Sequence, residues 1–143
     1  MHAAVTYGTS KRADIFAMAD SRDRVVRIEV KCSGQRKWLI GTRGASPPTQ
    51  ESSRVRWVLV HVPPPPQGVP SSDDERGRAA PRFFVLTPRQ LFKIFRQGAN
   101  EYRAKYFARH GRRFTGRGVP NVSLAAVEQY EGAWESILSL LAK

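Results

Sequence analysis

The sequence predicts an α/β domain, a mixed sheet of four to five strands with helices packed on it. Three observations point there. Two strand-like runs, 13–19 and 25–31, flank a tight turn at Asp20-Ser21-Arg22-Asp23. A later β-rich run, Arg82 to Leu86, passes directly into Thr87-Pro88-Arg89-Gln90, which has the Thr, Pro and Gln of a capped helix start. The end of the chain carries apolar residues at helical spacing. A strand that feeds a helix folding back on its sheet is how layered α/β domains are built.

Size and charge bound the rest. With 143 residues and 41% hydrophobic content, the chain fits one globular domain, 1–143, with a core of its own. The formal net charge is +12, from 24 Lys and Arg against 12 Asp and Glu. Such a balance draws a protein to polyanions, DNA first and RNA by the same charge. An arginine-rich genome would leave the same imprint. No apolar run reaches the length of a membrane span, and no secretory leader pattern opens the chain. One cysteine excludes an internal disulfide and agrees with a reducing, cytoplasmic setting. With three scattered histidines beside it, no zinc spacing exists.

In the first hairpin, the four-residue turn pairs Ala19 with Arg24, Ala17 with Val26, Ile15 with Ile28, and Asp14 with Glu29. That register puts apolar residues on one face and sets Glu29 and Lys31 on the other. Directly opposed Cβ atoms lie about 4.5–5.5 Å apart. Two carboxylates that close repel unless a cation sits between them. Oxygen donors of this kind suit Mg²⁺ or Mn²⁺. Asp14 and Glu29 are the candidate metal ligands, and Lys31 is placed to assist a metal-bound water or a developing phosphorane charge. The three together form a candidate catalytic set for phosphodiester hydrolysis. A plain solvated strand face with a cross-strand ion pair is the competing interpretation. Cys32 follows Lys31, and its parity predicts a small thiol buried on the apolar face, away from His61.

Further along, Lys37 to Ile40 is a short strand candidate, 41–53 a polar loop, and Trp57 to Val62 a buried strand. Proline density then interrupts the ladder over 63–81, a flexible excursion between core strands. After the Thr87 cap, Leu91, Ile94 and Phe95 give a helical stripe that Gly98 is expected to stop. Asn100 to Gly118 interleaves Tyr102, Tyr106, Phe107 and Phe114 with Arg103, Lys105, Arg109, Arg112, Arg113 and Arg117. Cations for phosphates and rings for unpaired bases suit nucleic acid. The alternative is a helix with Tyr106 and Phe107 packed inward and wet arginines. From Ser123, one docked helix is expected with Val127, Tyr130, Trp134, Ile137, Leu138 and Leu141 on its apolar side, Trp134 in the core.

The stretch Lys11-Arg12-Ala13-Asp14-Ile15 through Arg27-Ile28-Glu29-Val30-Lys31-Cys32-Ser33 resembles the core hairpin of the PD-(D/E)xK nuclease superfamily, in the manner of small bacterial members. Ala13 stands where many members carry proline. The resemblance implies a restriction-endonuclease-like sheet and metal-dependent cleavage of DNA by Asp14, Glu29 and Lys31. Members usually open with a helix, whereas this sequence reaches its first strand almost at once: either the start is lost or misassigned, or this is a reduced member. Lys11, Arg12 and Gln35 lie near enough in sequence to reach phosphates. A non-catalytic nucleic-acid-binding module with a degenerate nuclease fold is the second expectation. A third covers the sheet with a homodimer mate or a larger assembly.

Overall fold

The computed structural model describes residues 2–5, 14–20, 24–65, 79–116 and 118–142. Five strands form one mixed sheet: β1 (His2–Val5), β2 (Ile15–Met18), β3 (Val25–Ser33), β5 (Val55–His61) and β6 (Arg82–Leu86), in the order β1-β2-β3-β5-β6. β1, β2 and β3 run antiparallel, β5 lies parallel to β3, and β6 returns antiparallel to β5. The hairpin register follows the apolar alternation, with Ile15 opposite Ile28 and Ala17 opposite Val26. Ala19 N–H donates to the Arg24 carbonyl at 3.1 Å, which closes the turn. β1 has no apolar alternation to announce it, and all four of its residues are exposed.

The sheet separates two cores because neighbouring side chains on a strand point to opposite faces. On one face Trp57, Leu59, Phe84 and Leu86 pack beneath α2 (Pro88–His110), through Leu91, Ile94 and Phe95. On the other, Val26, Ile28, Val58, Val60 and Val85 pack with Ile137 and Leu141 of α4 (Glu135–Ala142). The first core also holds a small second sheet. The short strand candidate after the hairpin is β4 (Lys37–Leu39), and it pairs with β7 (Asn121–Ser123), far along the chain. Trp38 anchors it, buried, with its indole N–H donating to the Val60 carbonyl at 3.0 Å.

The expected loop 41–53 contains a short helix, α1 (Gly41–Gly44), and a 3-10 segment, Gln50–Arg54. Gly44 is required by close packing, since a Cβ there would lie 2.8 Å from Ile40 Cβ and 3.2 Å from Leu91 Cδ2. α2 starts as its sequence signals, with Thr87 Oγ1 accepting from Gln90 N–H and Gln90 Oε1 accepting from Thr87 N–H. It does not stop at Gly98. The residues from Asn100 to His110 are its last turns, as the helical alternative for that segment expects, and the stop is Gly111 in the left-handed region, φ 63°. A single interior glycine costs about 1 kcal/mol, which good helix formers on both sides outweigh. Part of the proline-rich excursion, 66–78, lies outside the described residues.

The C-terminal region is not one helix. Ser123 caps α3 (Leu124–Val127), a 3-10 turn follows at Glu128–Tyr130, and Gly132 at φ 65° breaks the path before α4. Leu124 and Val127 belong to the first core, Ile137 and Leu141 to the second. Between them the chain crosses the free edge of β6, where Glu131 bridges Phe84 and Gly132 N–H donates to the Phe83 carbonyl. Trp134 is therefore not core: it is 41% exposed and lies on Phe83 with ring centroids 5.9 Å apart.

Arg82 clamps this crossing, with Nε donating to Glu131 Oε1 at 2.9 Å and Nη2 to Oε2 at 2.7 Å. The hydrogen bond from Arg82 holds the Glu131 carboxyl below the usual carboxylate pKa. A depressed folded pKa contributes stability above the ordinary carboxylate range and loses it as pH falls through that range. The melting-temperature gap between the native protein and Arg82→Gln should therefore narrow between about pH 6 and pH 3. Thermal melts across that window check it; a constant gap would show that the clamp does not act through this charge.

Candidate functional site

Strand β3 carries the candidate residues. Arg27, Glu29 and Lys31 share the α2 face, as parity demands, while Val26, Ile28 and Val30 take the α4 face. Across the parallel ladder Glu29 lies beside Trp57 and Lys31 beside Leu59. Glu29 is buried, 7% exposed, on the edge of the first core. A buried carboxylate requires a partner, and α1 supplies it: Arg43 Nη1 lies 2.5 Å from Glu29 Oε1. Arg43 itself is half exposed, so the pair sits at a mouth and not in a sealed interior. The sequence gives no local signal for this ion pair, because its members meet only through the fold.

Over Glu29 opens a cleft of about 500 Å³, lined among others by Arg27, Arg43, Thr49, Ser52 and Trp57. Arg27 is tethered on its rim by donating Nη2–H to the Glu51 carbonyl at 3.0 Å. Glu29 thus lies on the floor, and the rim carries Arg27 and Arg43 together with Glu51.

Asp14 sits immediately before the start of β2. Its N–H donates to the Ile28 carbonyl at 3.0 Å, and its Oδ2 accepts from Val30 N–H at 2.6 Å. The carboxylate is therefore fixed at the edge of β3, one residue from Glu29. Lys31 is half-buried and makes no ion pair with a described residue. The three side chains neighbour one backbone segment, but Asp14 engages an amide and Glu29 an arginine.

For a divalent cation, the donor chemistry can be tested directly. Mg²⁺ and Mn²⁺ take one or two protein carboxylates and keep several waters, and Asp14 and Glu29 are the two carboxylates on this segment. Among the described residues no group of three His, Cys, Asp or Glu side chains converges. Asp14 and Glu29 would hold such an ion, with Arg43 competing as a cation for Glu29. When bound, it would lower the pKa of a water and offset phosphate charge.

The remaining candidates divide. Gln35 lies in the turn after β3, its N–H donating to Ser33 Oγ at 3.0 Å. β3 ends at Ser33, so Gln35 lies past the end of the strand while Glu29 lies at its middle. Lys11, Arg12 and Arg117 lie outside the described residues. Arg103 projects from the outer side of α2. At 3.6 residues per turn it falls on one stripe with Arg89, Lys93 and Arg96, which reading from Asn100 onward missed though their spacing is helical. Lys105 and Arg109 fall on the opposite side of the helix from that stripe. Arg112 and Arg113 follow the Gly111 cap, both exposed.

The aromatic members of the segment do gather. Phe114 folds back against Tyr102 at 5.2 Å and Tyr106 at 5.2 Å between ring centroids, and Tyr106 stacks on His110 at 4.3 Å. Tyr106 is half-buried, but Phe107 is 54% exposed and does not pack inward as the helical alternative expected. Cys32, expected in the apolar core, is exposed. Its parity is right, but its cover is absent: Arg24 Nη1 reaches the Leu141 carbonyl, so α4 ends beside the start of β3, away from Cys32.

Comparison with protein-family models, curated proteins and solved structures finds no match to this chain. The structure establishes a mixed α/β fold around a five-stranded sheet. No described helix is long and apolar enough to cross a membrane.

Proposed function

We propose that the protein is a metal-dependent endonuclease that hydrolyses DNA phosphodiester bonds with Mg²⁺ or Mn²⁺, on a restriction-endonuclease-like sheet. One observation carries this reading. Asp14 is fixed at the β3 edge beside Glu29, and Glu29 floors a cleft rimmed by Arg27 and Arg43. Asp14 and Glu29 hold the ion, Lys31 positions or deprotonates the attacking water, and the arginines meet phosphate oxygens. The basic outer stripe of α2 supports the same reading, because four cations along one helix face track a polyanion and give salt-dependent affinity. We assign the protein to a cytoplasmic setting, with DNA as its partner and RNA as a weaker one; a homodimer mate would add along the exposed β1 edge.

A second reading, a non-catalytic nucleic-acid-binding module, is favoured by one specific contact. Arg43 already neutralises Glu29, as a structural ion pair would. Incubation with plasmid and linear DNA in Mg²⁺, Mn²⁺ or EDTA separates the two. Cleavage in either metal and none in EDTA is the expected result. Retention of DNA with no cleavage in any condition would reject the nuclease and leave the module.

A further inference from the structure

The C-terminal half of α2 and the segment returning from Gly111 enclose a second cleft of about 350 Å³, separate from the one over Glu29. Its walls are Phe95, Tyr102 and Phe114 together with glycines at 98, 116 and 118, and Arg103 stands on its rim. Phe114 meets Tyr102 edge to face, at 90°, which holds the ring firmly in place.

Gly98 explains the cleft better than the fold explains Gly98. It lies inside a 23-residue helix, where glycine costs about 1 kcal/mol relative to alanine. Packing does not demand it, since a Cβ at that position would meet nothing within 4 Å. Gly98 lines the cleft, and what its missing side chain leaves there is open space. Three aromatic residues in the lining, Arg103 on the rim and a net charge of +12 point to the occupant: a planar group attached to an anionic chain.

We propose that this cleft takes an unpaired base of a single-stranded or locally opened nucleic acid, with Arg103 on the adjoining phosphate. This rests on the reading of the protein as acting on nucleic acid, and it names the substrate's form: a strand with at least one base out of its stack. A base paired within a duplex cannot enter, because stacking and pairing hold it inside the helix.

Fluorescence anisotropy with a short labelled single strand, an abasic strand of the same length and a blunt duplex tests the assignment in EDTA, where no cleavage intervenes. The intact strand should bind about tenfold more tightly than the abasic strand, the effect of one stacked base. Gly98→Leu, which improves helix propensity and fills the cleft, should erase that difference and leave duplex affinity unchanged. Equal binding of intact and abasic strands by the native protein would overturn the proposal, as would an undiminished preference in Gly98→Leu. Absence of metal-dependent cleavage alongside an intact base preference would remove the nuclease reading alone.

Discussion

Glu29→Ala should abolish Mg²⁺- or Mn²⁺-dependent DNA cleavage, on the order of a hundredfold or more, while DNA retention persists. Truncating one member of a buried ion pair generally costs about 3–5 kcal/mol because the other charge is stranded. Here Arg43 is 54% exposed and reaches water when its partner is removed, so the loss should be nearer about 1–2 kcal/mol. The companion variant moves the other way. Arg43→Ala removes a cation that competes for Glu29 and should tighten Mn²⁺ binding about tenfold, one charge interaction at short range in a partly exposed site. Cleavage assays and urea denaturation read the first variant, and isothermal titration calorimetry with Mn²⁺ reads the second. A lower melting temperature in Arg43→Ala with no gain in Mn²⁺ affinity would make Glu29 a structural anchor and pass the argument to the non-catalytic module.

The largest loss of stability should come from Trp38→Ala. Its ring is 1% exposed, meets Phe84 at 5.6 Å and His61 at 6.4 Å between centroids, and bonds the Val60 carbonyl. Removing it costs about 3–5 kcal/mol in transfer and cavity terms, against a total of about 5–15 kcal/mol for a domain. Trp38→Phe keeps much of the burial but leaves the carbonyl unpaired, for about 1–2 kcal/mol. Urea denaturation gives both values. Trp38 stands three residues ahead of α1, so the alanine variant should also loosen Arg43 from Glu29. Near-native stability in Trp38→Ala would mean that the small sheet is held by other contacts.

Local pattern made the hairpin legible. Alternation and a four-residue turn fixed Ile15 against Ile28, and the Thr87–Gln90 box announced the α2 start. What escaped was set at long range. β4 finds its partner more than eighty residues later, across a pairing that no local period encodes. Periodicity also overran a break, since the stripe from Val127 to Leu141 was continuous in spacing while Gly132 turned the backbone. Gly98 misled in the opposite sense, as a stop signal inside a helix whose apolar and aromatic spacing continued through Tyr102 and Tyr106. For the candidate site, parity placed Glu29 and Lys31 on one face. It could not show that α1 would deliver Arg43 to Glu29, or that Asp14 would reach the Val30 amide.

The passage of residues 131–132 around β6 has a mechanical consequence. One continuous stretch of backbone supplies Val127 to one layer and Ile137 to the other, and hydrogen-bonds the rim between them. Neither layer can peel away without dragging that strap off the rim, so the two should melt together as a single cooperative unit. The same strap occupies a strand border that would otherwise invite a neighbouring molecule to add on, leaving the opposite border, at His2–Val5, as the one that no described residue covers.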